Sequence, residues 1–268
     1  MKVFISADIE GITTTNRWEE VNPSHSAYPP HAKQMTDEVL ACIEGAKKAG
    51  ATEFVIKDAH TSTATNIDPL RMPSGATLLR GWTGHPYLMV EGIDKTFDAA
   101  MFIGYHSSAG KTGNPMSHTV ARCNYVKLNG VIASEFLLYS YACALEGVPT
   151  VFLSGDKMLC NDSKALHPNL ITCTVKDGIG GMTMNYSPED TMRNIRTLSE
   201  KALTQNLKDA LVKLPKYFNA EICYKEHATA EIASWFPGVT KTSENTITFQ
   251  SSNYFDILQT LKWLLNNI

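Results

Sequence analysis

Lys2-Val3-Phe4-Ile5-Ser6-Ala7-Asp8-Ile9-Glu10 opens the chain with a short apolar run that stops at two carboxylates. Apolar residues at successive positions over so short a stretch predict a strand buried on both faces, as found inside a parallel sheet. The arrangement recurs twice. Phe54-Val55-Ile56 leads into Asp58-Ala59-His60, and Met101-Phe102-Ile103 leads into Gly104-Tyr105-His106. In open α/β sheets the carboxyl ends of neighbouring strands face one crevice, where ligands bind. Strands that end in carboxylates and imidazoles therefore predict a metal site at that edge.

Working outward, His31 to Lys48 carries Met35, Val39, Ile43 and Ala46 at helical spacing, with lysines in the last turn and Gly50 as the stop. Together with the strands on either side it forms a βαβ unit with an expected right-handed crossover. Prolines and glycines between Thr61 and Asp98 predict loops and short strands, and Ser107 to Pro115 has loop composition. Ser134 predicts the N-cap of a helix running from Glu135 to Glu146. Val148 to Leu153 and Leu170 to Val175 read as further strands, and Ser187-Pro188-Glu189-Asp190 as a capped helix start. After Pro215 come two alternating segments, Ala220 to Tyr224 and Thr246 to Phe249, a short helix near Ala228 to Trp235 and a closing helix from Asn253. The expected architecture is α/β: residues 1–214 form a metal-binding catalytic domain with a mostly parallel central sheet flanked by helices, and residues 215–268 form a smaller C-terminal α+β lobe packed on it.

A chain of 268 residues can bury a sizeable core without a metal or disulfide to hold it. Its net charge of −3 comes with interspersed signs and no basic block larger than Lys47-Lys48, which argues against nucleic-acid and anionic-membrane partners. The six cysteines are far apart, lack any C-x-x-C pairing and fall mostly in apolar segments, as expected of reduced thiols in a cytoplasmic protein. The three apolar residues before Asp8 are too few for a signal peptide. The segment from Phe136 to Leu145 is too short and interrupted to span a bilayer.

Asp8 and Glu10 are two apart, so on a strand they share a face, where unpaired carboxylates repel and a divalent cation relieves the repulsion. Asp58-Ala59-His60 adds an imidazole and an acid able to bind metal or to orient a ligand from outside. His106 follows the third strand, and Glu135 opens a helix, a place where glutamate also complements the helix dipole. Each of these signals alone is met in proteins that bind no metal. Together Asp8, Glu10, His60, His106 and Glu135 fit a pair of Zn²⁺ ions sharing one bridging ligand. Three negative ligands against four positive charges leave room for a bound hydroxide, and zinc lowers the pKa of bound water from about 15.7 to about 7. His118, in Pro115-Met116-Ser117-His118-Thr119, is the candidate to give or take a proton near the scissile bond.

Ala7-Asp8-Ile9-Glu10-Gly11-Ile12, Lys57-Asp58-Ala59-His60, Gly104-Tyr105-His106, Met116-Ser117-His118 and Ser134-Glu135, in this order and at these intervals, resemble the DppA-type D-aminopeptidase family of zinc peptidases, peptidase family M55. The likeness extends to Met89-Val90-Glu91-Gly92 and Phe236-Pro237-Gly238. It implies a dinuclear zinc aminopeptidase that removes an N-terminal residue, often a D-amino acid, from short peptides through a metal-bound hydroxide. It also implies that Asp8, Glu10, His60, His106 and Glu135 bind two zincs per subunit with Asp8 bridging, that His118 is catalytic, and that subunits assemble as a ring-like homodecamer. A metal hydroxide already does the attacking, which favours His118 as an acid/base or oxyanion-stabilising group. Two other readings remain on the residues alone: a dinuclear metal hydrolase of another amide or a phosphoester, and a metal- or peptide-binding protein without turnover.

Overall fold

A computed structural model of the chain describes residues 1–121 and 123–266. In chain order the elements are β1 (Lys2–Ala7), α1 (Tyr28–Lys48), β2 (Glu53–Asp58), β3 (Ala76–Leu79), β4 (Ala99–Tyr105), β5 (Tyr125–Leu128), β6 (Val131–Ile132), α2 (Glu135–Leu145), β7 (Thr150–Asp156), α3 (Lys157–Leu166), β8 (Ile171–Ile179), β9 (Met182–Asn185), α4 (Pro188–Thr204), β10 (Phe218–Cys223), α5 (His227–Ser234), β11 (Thr240–Ser243), β12 (Thr246–Ser251) and α6 (Tyr254–Asn266).

The main sheet has seven strands in the order β3-β2-β1-β4-β7-β8-β9, all parallel except the edge strand β9. Strand β1 alternates by the two-residue period of a pleated strand. Val3, Ile5 and Ala7 join the core under α1 and α4, while Phe4 packs with Phe102 and Phe136 under α2 and α6. Both faces of the strand are thus covered, which is why its sequence is apolar throughout. The order reverses about β1, whose partners are β2 on one side and β4 on the other. This switch point in an α/β sheet leaves a crevice at the carboxyl ends, and Asp8, His60 and His106 all follow strands that end there.

The exits of β1 and β4 are pressed together. Asp8 donates its amide to Ile103 O at 2.9 Å and Gly11 to Gly104 O at 2.8 Å. A Cβ on Gly11 would lie 1.7 Å from Tyr105 O, and Gly104 takes a φ of +70° with Asp8 O only 2.3 Å from where its Cβ would stand. Only glycine tolerates that approach and that backbone.

A second, antiparallel sheet runs β11-β12-β10-β5-β6 and packs against α5 and α6. The boundary expected at 214/215 does not separate the two sheets, because the hairpin β5–β6 comes from within the first span and pairs with β10 from the second. Cross-strand hydrogen bonds ignore distance along the chain, and local pattern cannot reveal them.

Smaller differences have local reasons. Helix α1 starts at Tyr28 instead of His31, since Pro29 and Pro30 occupy its first turn, where no intrahelical N–H is required. Ser187 precedes α4 as expected but makes no capping hydrogen bond. Ser134 does cap α2, accepting the Leu137 amide at 3.1 Å. Helix α3, absent from the sequence reading, is capped by Asp156, which accepts the Leu159 amide at 2.9 Å. Among the described residues no helix is long and apolar enough to cross a membrane.

Candidate metal centre

All six residues singled out in the sequence converge. Asp8 and Glu10 follow β1, His60 follows β2, His106 follows β4, Glu135 is the first residue of α2, and His118 sits on the loop between β4 and β5. Two groups form. Ligand atoms of Asp8, Glu10 and His60 lie within 4.8 Å of one another, as do those of His106, His118 and Glu135.

Asp8 stands between the groups. Its Oδ1 is 3.4 Å from His60 Nδ1, and its Oδ2 is 3.5 Å from His106 Nε2. His60 Nδ1 also lies 3.1 Å from Glu10 Oε2, and His106 Nε2 lies 3.3 Å from Glu135 Oε2. The other nitrogen of each imidazole is held by a backbone carbonyl, His60 Nε2 by Val21 O at 3.0 Å and His106 Nδ1 by Ser107 O at 2.9 Å. Such outer contacts fix the tautomer and aim the remaining nitrogen at a cation. Asp8 Oδ2, Glu10 Oε2 and His106 Nε2 are buried and make no hydrogen bond. Buried polar atoms without partners are costly, and three of them on one crevice, all of metal-ligating type, fit divalent cations.

The protonation behaviour agrees. Burial and the neighbouring Glu10 push the Asp8 carboxyl up to about 8. Burial also opposes ionisation of Glu10 and Glu135, but the adjacent imidazoles outweigh it and hold both below the usual carboxylate range. His106 is driven up to about 10 against its burial by Glu135, and His60 is raised by Glu10 and Asp8. Imidazolium charges thus offset the buried carboxylates, a role that divalent cations in the same place would take over.

His118 differs from the other two imidazoles. Burial and the charge of His106 lower its pKa. Its Nδ1 is held at 2.8 Å by Met116 O, and its Nε2 lies 3.6 Å from Glu135 Oε1. The same Glu135 oxygen accepts the Val120 amide at 2.7 Å.

Asp58 lies outside both groups. It accepts the amides of Asn66 and Ile67 and the Asn66 side chain, which also donates to His60 O at 2.7 Å, so it braces the loop that carries His60. Asp156 has the matching place beside His106, accepting the Ser107 amide at 2.6 Å and its hydroxyl at 2.5 Å.

The groups open into a cleft of about 280 Å³ whose walls include Trp18, Trp82, Leu88, Met89, Val120 and Tyr139. The sequence marks none of these as lining a cleft, although Met89 belongs to the family likeness; aromatic residues on loops carry no local sign of facing a crevice.

A family model described as D-aminopeptidase, peptidase family M55, matches residues 1–263. The chain belongs to the D-aminopeptidase family. Membership places it among the peptidases, which are hydrolases. The chain is 29% identical over 264 residues to a D-aminopeptidase of Bacillus subtilis (strain 168), an alignment covering 97% of this chain and 95% of that protein. It also resembles the solved structure of the Zn-dependent D-aminopeptidase DppA from Bacillus subtilis, described as a self-compartmentalizing protease, with a TM-score of 0.91, 29% identity and coverage of 98% of this chain and 96% of the other. The D-aminopeptidase fold therefore extends over nearly the whole of this chain, both sheets included.

Proposed function

We propose that this chain is a dinuclear zinc aminopeptidase that hydrolyses the N-terminal residue, a D-amino acid in the favoured substrates, from short peptides. The observation that carries the reading is Asp8 with one carboxylate oxygen on each histidine group, the arrangement a bridging ligand needs. Asp8, Glu10 and His60 would hold one zinc, and Asp8, His106 and Glu135 the other. When bound, such a pair lowers the pKa of water toward neutrality and polarises the scissile carbonyl.

The remaining work falls to this chain's own groups. His118, whose pKa burial lowers, can take a proton at Nε2 and deliver it to the leaving amine. Its anchoring through Nδ1 to Met116 O leaves Nε2 as the working atom. The apolar walls exclude water and suit uncharged side chains flanking the bond. His118 also lies within ligand distance of the second group, so a role on the metal is its competing assignment.

A ring-like homodecamer would restrict access to short peptides and is proposed here from the relative's description as self-compartmentalizing. A cytoplasmic location is supported by six free cysteines, every one buried. The test is metal analysis of the purified protein followed by assay of D- and L-aminoacyl peptides with and without chelator. Two zincs per subunit and chelator-sensitive release of the N-terminal residue are expected. A metal-replete protein inert toward both peptide series would overturn the reading.

A further inference from the structure

Lys176, on β8, is completely buried. Its ammonium donates to Glu10 O at 2.5 Å, Thr15 O at 2.8 Å and Thr15 Oγ1 at 2.7 Å. An ammonium has three N–H donors, so all are used and none is free for a substrate. Lys176 does not line the cleft. Burying an ammonium costs several kcal/mol even after relaxation, and an aliphatic side chain of similar length would fill the same space without that cost. A specific task accounts for the charge.

The task is visible at the Glu10 carbonyl oxygen. It accepts from Lys176 Nζ, from Thr15 Oγ1 at 2.9 Å and from Asn114 Nδ2 at 2.9 Å. These donors come from β8, from the segment after β1 and from the loop after β4. Asn114 then organises the turn that presents His118: its Oδ1 accepts the Met116 amide at 2.9 Å, and its O accepts the Ser117 amide at 3.0 Å. Met116 O in turn holds His118 Nδ1. One carbonyl oxygen thus joins the backbone of Glu10 to the support of His118.

We infer that Lys176, acting with Asn114, is a positioning residue that fixes the Glu10 backbone and so aims its carboxylate at the first zinc while holding the His118 turn in register with it. The inference rests on the zinc-peptidase reading above. No covalent step is involved; the lysine works through the atoms it holds.

The test is Lys176→Met, which keeps length and removes charge and donors, alongside Asn114→Ala. Metal-free protein is titrated with zinc against a competing chelator, cobalt is substituted for its visible absorption spectrum, and kcat and KM are measured separately. Expected are a zinc affinity lowered by about 10- to 100-fold at one of the two sites, an altered cobalt spectrum, and a loss in kcat with KM little changed. A folded Lys176→Met protein with wild-type zinc affinity, cobalt spectrum and kcat would overturn the inference. If Lys176→Met does not fold, the same result in Asn114→Ala overturns it. A wild-type protein that binds no zinc would instead remove the reading beneath it, so the two failures are distinguishable.

Discussion

The imidazole of His118 lies flat against that of His106, with centroids 4.3 Å apart and planes inclined by 15°. The carboxylates around His106 push its pKa up to about 10, while burial and the charge of His106 lower that of His118 beside it. Two groups of one chemical kind are thereby shifted in opposite directions by their surroundings, one beside carboxylates and suited to ligation, the other suited to carrying a proton.

Replacing His118 with Asn should lower kcat by about 100- to 10,000-fold, the usual worth of a positioned proton carrier, while two zincs remain bound. Metal analysis beside the kinetics decides it. Loss of one zinc in the variant would reassign His118 as a ligand.

Asp8→Ala should weaken binding at both metal positions, because each carboxylate oxygen faces a different group. Glu10→Gln and Glu135→Gln should each weaken one. Zinc stoichiometry at a fixed chelator concentration separates these patterns, and an Asp8→Ala protein that retains two zincs contradicts the bridging role.

Glu38, buried in α1, gives a pH dependence away from the metal. Burial pushes its carboxyl up from 4.5 to about 8. A raised folded-state value means that its contribution to stability is fully present below the unfolded pKa and is lost as pH rises through the folded one, at up to about 1.4 kcal/mol per unit. Glu38→Gln, which can still accept the Thr13 amide, should therefore gain stability relative to wild type between about pH 5 and about pH 8. Urea unfolding at the two pH values checks this. A gap that stays constant or narrows would contradict the assignment.

Ser134→Ala should destabilise the fold by about 1 kcal/mol through loss of the α2 cap. Because Glu135 is the next residue, loosening the helix start should also weaken zinc binding, so by linkage the cost should be larger with zinc bound than without it. Thermal unfolding of both forms measures the difference.

The strand ends that carry Asp8, Glu10, His60 and His106 were legible in the sequence because an apolar run followed by a ligating residue is a local pattern. The cap at Ser134 was legible for the same reason. Lys176 was not: a lysine following an apolar strand segment looks like a solvated edge, and only the return of the segment after β1, with Glu10 and Thr15, over β8 shows it buried. The β5–β6 hairpin left a signal that went unread. Asn129-Gly130 takes φ values of 50° and 81° between Leu128 and Val131, the turn chemistry of a two-residue hairpin. Its pairing with β10, some ninety positions downstream, has no local trace.

That pairing bears on how the protein is made. During synthesis every ligand and His118 has left the ribosome once Glu135 is out, yet among the described residues the hairpin between His118 and Glu135 has no further partner strand until Phe218–Cys223 emerges. Domains form as their parts become available, so a nascent chain halted near residue 215 would carry every chelating side chain and the sheet that places Asp8, His60 and His106, without the strand that braces the hairpin leading into Glu135. Strand β10, which supplies none of the chelators, thus completes the support of the segment between His118 and Glu135.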